Sequence, residues 1–158
     1  MIFRKAEFSE KEIIMSLYRS AAKGPFCTWN EYYPDEVNLN DDLAAGSLYV
    51  LEDDSMIVGA VSVVPVNEMD DFDCWSYEGP AAEIARVVIR PDMQGRGLSS
   101  VLVSAVLAEL EKRAIKTVRL SAAKINIPAN RLYRSLGFQT ACEKQMYGSS
   151  YNLMEKVL

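Results

Sequence analysis

The sequence predicts one mixed α/β domain. Three observations carry that expectation: short runs alternating apolar and polar residues, longer segments with apolar residues at helical spacing, and turn chemistry between them. The chain has 158 residues, which suits a single domain spanning 1–158 and leaves little room for a second. At 49% hydrophobic and 25% charged residues, the composition is that of a folded chain.

Ile2–Glu7 alternates as a half-buried strand does. Ser9, with Glu12 three residues on, reads as a capping box opening a helix. Ile13, Ile14, Leu17, Tyr18 and Ala21 recur at helical spacing there, and Gly24-Pro25 stops it. Residues 26–34 are aromatic and irregular, with Trp29, Tyr32 and Tyr33 close together, and Asp35–Ala45 reads as a second helix ended by Gly46. Two strands follow, Ser47–Glu52 and Met56–Pro65, joined across Asp53-Asp54-Ser55. Asn67–Gly79 is an acidic loop long enough to carry function.

Ala81–Ile89 is an apolar strand stopped by Arg90-Pro91-Asp92. A Gly-rich turn leads into a helix from about Leu98 to Arg113, striped by Leu98, Leu102, Val106 and Leu110. Thr117–Ala122 is the next strand, and a helix from about Pro128 to Leu136 has Asn126 as its cap and Gly137 as its C′ residue. Two last strands, Gln139–Tyr147 and Tyr151–Val157, flank Gly148-Ser149-Ser150, a hairpin signal. The order is βααβββαβαββ.

Composition excludes several classes. Seventeen Lys and Arg against twenty-two Asp and Glu give a net charge of −5, which disfavours a general nucleic-acid binder. The chain has no histidine, which removes Ser-His-Asp and Cys-His catalysis and every His-containing metal site. Cys27, Cys74 and Cys142 are three in number and widely spaced, a pattern of neither a disulfide framework nor a metal knuckle. The expectation is free thiols in a reducing compartment and no metal. No apolar run approaches about 18 residues, and the first residues lack the apolar core of a signal peptide, so a cytoplasmic protein without a membrane partner is expected.

Charge is uneven: residues 1–79 hold sixteen acids and five bases, and residues 80–158 six acids and twelve bases. Unless the halves interleave in space, the C-terminal part favours an anion and the acidic loops favour a cation.

The strongest signal is Val87-Val88-Ile89-Arg90-Pro91-Asp92-Met93-Gln94-Gly95-Arg96-Gly97-Leu98-Ser99. A buried strand runs into a turn with two glycines, and a long helix starts at once. Free amides at a helix N-terminus, its positive dipole end and glycines permitting close approach make a phosphate cradle. The dinucleotide-binding pattern fails because its third glycine falls at Ser100, and the P-loop fails because no Gly-Lys-Ser/Thr occurs. What remains, Gln94-x-x-Gly97-x-Ser99, resembles the Q/R-x-x-G-x-G/A motif of the GNAT N-acetyltransferase superfamily. The run Asn126-Ile-Pro-Ala129-Asn-Arg-Leu132-Tyr133, closed by Gly137-Phe138, is similar to that family's second signature, at the right separation. The strand and helix order is also the family's. Ser99 departs from its Gly or Ala preference by one small hydroxymethyl.

The resemblance implies a GNAT fold: a mixed, mostly antiparallel central sheet of six to seven strands flanked by about four helices. It implies direct acetyl transfer from acetyl-coenzyme A to an amine. Backbone groups of Val87, Val88 and Ile89 then bond the pantetheine arm. The amides of Gln94, Gly95, Arg96, Gly97, Leu98 and Ser99 take the pyrophosphate. Arg90, Arg96, Arg131 and Arg134 are candidates for the outer phosphate, and Asn126 bonds the arm or a water as well as capping its helix. Tyr133 is the expected proton donor to the leaving thiolate, with packing beside Leu132 and Leu136 as its alternative. Glu83 is the expected base: period-2 alternation puts it on the face of Ala85, Val87 and Ile89, and Ala82-Glu83-Ile84 resembles the histone-acetyltransferase branch. Its alternative is a structural carboxylate, with a water chain as base.

The acceptor is expected to be a small cationic amine, between Glu68, Asp70, Asp71 and Asp73 on one side and Trp29, Tyr32 and Tyr33 on the other. The aromatic segment could instead be a lid or a homodimer contact. A peptide α-amine or lysine acceptor, and a non-catalytic acyl-coenzyme A-binding module, are the competing readings.

Overall fold

The computed structural model describes residues 1–64 and 68–158. Pro65, where the sequence ends a strand, and Asn67, where it starts the acidic loop, lie outside the described residues, as does the side chain of Glu68.

The chain begins with β1 (Ile2–Lys5), α1 (Lys11–Ala22) and α2 (Glu36–Ala44). Three strands follow, β2 (Leu48–Asp53), β3 (Met56–Val64) and β4 (Ala81–Ile89), then α3 (Leu98–Lys112). β5 (Thr117–Ala123), α4 (Ile127–Ser135), β6 (Gln139–Met146) and β7 (Ser149–Val157) complete it. Among the described residues, seven strands form one sheet in the order β1-β2-β3-β4-β5-β7-β6. Every pairing is antiparallel except β4 with β5. The expected order and sheet character therefore hold.

Alternation along the strands sends side chains to both faces, and each face has its own core. On one, Leu102, Val106 and Leu110 of α3 and Tyr133 of α4 pack on Val61, Ile84, Val118, Leu120 and Met154. On the other, Ile14, Leu17 and Tyr18 of α1 and Leu39 and Leu43 of α2 pack on Leu48, Val50, Ala60 and Val88. Burying each large apolar side chain stabilises the fold by roughly 1.5–3 kcal/mol. No helix among the described residues is long and apolar enough to cross a membrane.

Local details depart from the sequence reading in three places. The turn Phe8–Glu10 is a 3₁₀ turn before α1. There the Glu10 carboxylate accepts the Glu7 amide at 2.8 Å and holds Arg4 at 2.6 Å, so Glu7 and Glu10 set the helix entry rather than Ser9 and Glu12. The β6–β7 loop is the two residues Tyr147 (φ +50°) and Gly148 (φ +79°), with Met146 opposite Ser149. Positive φ at both positions matches the strands' own twist, so Ser149 and Ser150 join β7.

The third departure concerns the cysteines. Cys74 and Cys142 form a disulfide with Cα atoms 6.0 Å apart, and Cys27 is free and half-buried. Spacing along the chain does not bound distance in space. Here Ser76 bonds Glu155 of β7 and Trp75 lies over the Arg119 guanidinium at 4.8 Å, which folds the loop back onto β5, β7 and β6.

Candidate active site

The parallel β4–β5 ladder joins only Ala81–Glu83 to Thr117–Arg119. Beyond that point the two strands run on to Ile89 and Ala123 without pairing to each other, and a gap opens in the middle of the sheet. β3 stays paired with β4 through Ile89 on the other side, so the gap has one firm wall. The backbone of Val87, Val88 and Ile89 forms that wall.

At the end of the wall the chain turns through Pro91–Met93 into α3. Gly95 (φ +77°) and Gly97 (φ +75°) take left-handed conformations, and a Cβ on either would meet nothing within 4 Å. The space above them is open, and glycine is the residue that reaches that conformation without strain. No side chain caps α3, whose Val101 amide is the first to bond back, to Gly97. The amides of Gly95, Arg96, Gly97, Leu98, Ser99 and Ser100 donate to no described residue. Six unaccepted donors at the positive end of a 15-residue helix fit a diphosphate. The Gln94 amide is already bonded to the Pro91 carbonyl at 3.4 Å, and its side-chain amide turns back towards the Ile89 carbonyl at 3.5 Å. Arg90 is paired with Asp92 at 2.6 Å, whereas Arg96, Arg131 and Arg134 are exposed.

Across the gap, α4 starts where β5 ends. The Asn126 side chain accepts from the Ala129 amide at 3.2 Å as the N-cap. Below it runs a chain of amides the sequence reading missed. Asn152 of β7 donates to Asn130 at 2.8 Å, and Asn130 donates to the carbonyls of Ala123 at 2.9 Å and Asn126 at 2.8 Å. The signal was present: Asn126, Asn130 and Tyr133 fall at i, i+4 and i+7, which puts polar groups on the helix's inner side. Tyr133 is buried, with its ring edge-on to Phe138 at 5.8 Å, and no described residue bonds its hydroxyl. Burial pushes that hydroxyl up to about 12.

Glu83 is not on the face the sequence assigned. Ser62 pairs with Ala85 but Ala60 pairs with Val88, so Arg86 and Val87 stand together opposite Val61. This bulge, with Arg86 at φ +53°, resets the alternation. Ala82 and Ile84 share the α3–α4 face with Val87 and Ile89, while Glu83 points with Val88 to the α1–α2 face. It is half-buried, beside Arg119 in the parallel register. Tyr133 and Glu83 therefore approach the gap from opposite faces of the sheet.

Two loops wall the α1–α2 face of the sheet. One wall is the segment before α2: Trp29 packs edge-on to Tyr18 at 5.6 Å, Thr28 bonds the Tyr151 hydroxyl at 3.1 Å, and Tyr33 takes a hydrogen bond from Arg86. Tyr32 is 76% exposed. The other wall is the disulfide-tied loop, where Arg119 neutralises Asp70 at 2.8 Å and donates to the Tyr77 carbonyl at 2.9 Å. Asp71 and Asp73 remain exposed there, so the wall is less acidic than the sequence suggested.

Comparison with known proteins agrees with this geometry. A [ribosomal protein bS18]-alanine N-acetyltransferase from Salmonella typhimurium is 31% identical over 101 residues, 64% of this chain and 60% of that protein. A mycothiol acetyltransferase from Thermobifida fusca is 42% identical over 69 residues, 44% of this chain and 21% of that protein. The chain thus spans about three fifths and about one fifth of these two relatives. The structure of the paiA N-acetyltransferase from Thermoplasma acidophilum in complex with coenzyme A superposes with a TM-score of 0.75 at 19% identity, covering 99% of this chain and 98% of that one. The model of the acetyltransferase (GNAT) family matches residues 14–138, the stretch holding the α3 turn, the gap and Tyr133, and the chain belongs to that family.

Proposed function

We propose that this chain moves the acetyl group of acetyl-coenzyme A directly to a primary amine. The observation that carries the reading is the row of unaccepted amides from Gly95 to Ser100, opening beside the gap between β4 and β5. A diphosphate would take the amides of Gly95, Arg96, Gly97, Leu98 and Ser99, with Gln94 holding the turn's shape through Pro91 and Ile89. The pantetheine arm would lie in the gap against Val87, Val88 and Ile89, with Asn126 at its far edge. Arg96, Arg131 and Arg134 are free to meet the outer phosphate.

Acetyl-coenzyme A supplies an activated acyl carbon and a thiol leaving group. Direct transfer needs three things of the protein: donors for the carbonyl oxygen, a base for the amine's proton, and a donor for the departing thiolate. Backbone amides at the β4 bulge meet the first need. Glu83, on the α1–α2 side, meets the second. Tyr133 meets the third, with a qualification that burial imposes. At about 12, against about 8.5 for a thiol, the phenol is the weaker acid, so it stabilises the thiolate by donating a hydrogen bond rather than by giving up its proton.

The acceptor amine enters between the Thr28–Tyr33 segment and the loop carrying Asp71 and Asp73. Exposed Tyr32 and those two carboxylates suit a cationic amine on an apolar body, as in a small molecule. A peptide α-amine is the second reading, favoured by the relative named for ribosomal protein alanine. A thiol-release assay with acetyl-coenzyme A across polyamine, aminoglycoside, amino-acid and peptide pools tests both. Turnover of small amines supports the first; turnover of peptides alone replaces it with the second. Silence on every amine while the thioester is bound overturns the transferase reading. In the active pool, Glu83→Gln should lower turnover at least about 100-fold; an unchanged rate gives the base role to water.

A further inference from the structure

Arg86 sits in the middle of a strand at φ +53°, a conformation that long side chains avoid. Such a backbone persists only where its surroundings over-determine it, and the surroundings here are specific. The Arg86 guanidinium makes a two-pronged contact with Asp42 of α2, Nε to Oδ2 at 2.9 Å and Nη2 to Oδ1 at 2.8 Å. Its Nη1 donates to the Tyr33 hydroxyl at 3.1 Å. Asp42 in turn accepts from Ser62 Oγ at 2.6 Å, and Ser62 is the β3 partner of Ala85, the residue before the bulge. Asp42 and Ser62 are both buried. A planar fork therefore fixes α2, β3 and β4 to one another around the single point where β4 leaves its ladder.

The geometry points to a role for this pair: Asp42 and Arg86 are positioning residues that hold the β4 bulge so that its free amide faces the carbonyl oxygen of the bound acetyl thioester. The inference rests on the acetyl-transfer reading of the same site. Neither side chain touches the acetyl group: Arg86 leaves β4 on the α1–α2 side, where it meets Asp42 of α2. A bulge leaves one of its two opposed residues outside the ladder, so the amide of Arg86 or Val87 is available at the gap. Donors to a developing oxyanion work only within about 2.7–3.1 Å of it, and a misplacement of about 1 Å is costly. Without the fork, Arg86 is free to relax to ordinary strand geometry, which flattens the bulge and withdraws the donor. The diphosphate amides lie eight and more residues further along and are not fastened by this pair.

The test uses acetyl-coenzyme A carrying ¹³C at the acetyl carbonyl, bound to the purified chain. A donated hydrogen bond polarises the carbonyl and moves its resonance downfield of the free thioester. In Asp42→Asn and Arg86→Gln the resonance is expected to return towards the free position, with the ³¹P resonances of the bound diphosphate unmoved and affinity for the thioester within about twofold. The double variant should do no more than either single one, because each breaks the same fork. Asp42→Asn keeps the side-chain shape and the acceptor for Ser62, so a folded variant is available. An unchanged carbonyl resonance in that variant overturns the inference, as does a parallel loss of affinity and of the ³¹P signature, which reports general loosening. A wild-type chain that binds the thioester without any carbonyl shift overturns this inference alone; one that does not bind it overturns the proposed function as well.

Discussion

Asn152 on β7 donates to Asn130 on α4 at 2.8 Å, and both residues are buried. Because Asn130 also donates to Ala123 and Asn126, one amide fastens the end of β5 to the first turn of α4. Tyr133 lies on the next turn of the same face. Asn152→Ala leaves the Asn130 carbonyl oxygen without its donor in a buried site, at a cost of about 1–3 kcal/mol. At about 2–4 °C per kcal/mol for a chain of this size, a thermal melt should show a fall in Tm of several degrees. A melt matching wild type would mean that water replaces the Asn152 donor.

Gly97→Val separates the fold from the anion site. The added Cβ meets nothing within 4 Å, but φ is +75°, so the backbone costs about 1–2 kcal/mol without a clash. The isopropyl group would then fill the space above the α3 amides. Coenzyme A should raise the Tm of wild type and leave that of the variant unmoved. Protection surviving in the variant puts the diphosphate somewhere other than this turn.

The element order and both glycine-bearing ends of α3 and α4 were legible because they rest on local chemistry: alternation, caps, and left-handed glycines. What escaped depends on residues far apart in sequence. The bulge at Arg86 is carried by no glycine and exists through Asp42, 44 residues away, so simple alternation sent Glu83 to the wrong face. Asp42 itself reads as one more acid on a polar helix. Asp70 reads as part of a solvated acidic run until Arg119 of β5 claims it. Asn130 was the exception, a polar residue on an apolar helix face whose position alone could have flagged it.

The Cys74–Cys142 bond closes a loop with a sequence separation of 68. A cross-link across that many residues restricts the unfolded chain and contributes about 2–4 kcal/mol. Adding reductant should lower the Tm of wild type and leave that of Cys74→Ser where it stands, already low. The loop bearing Asp71 and Asp73 should also become more open to protease in both. Wild-type melts that coincide with and without reductant would show that the thiols stay apart in solution.

Tyr133→Phe addresses chemistry and pH dependence with one change. The ring packs on Phe138 and its hydroxyl bonds no described residue, so the variant should fold and bind coenzyme A as wild type does. Turnover should fall at least about tenfold, the worth of one hydrogen bond of about 1.4 kcal/mol made to the thiolate in the transition state. In the folded state burial pushes the phenol up to about 12 from its ordinary value near 10, because it disfavours the phenolate. The raised value means the neutral form's contribution is fully present below pH 10 and is lost as pH rises towards 12, since only the unfolded chain ionises readily in that window. Wild type should therefore lose stability between pH 10 and 12 more steeply than Tyr133→Phe, by up to about 1.4 kcal/mol per pH unit. Denaturant unfolding at pH 9, 10 and 11 measures the difference. Parallel curves would mean that the hydroxyl is solvated, and a solvated phenol has no reason to be a poor acid.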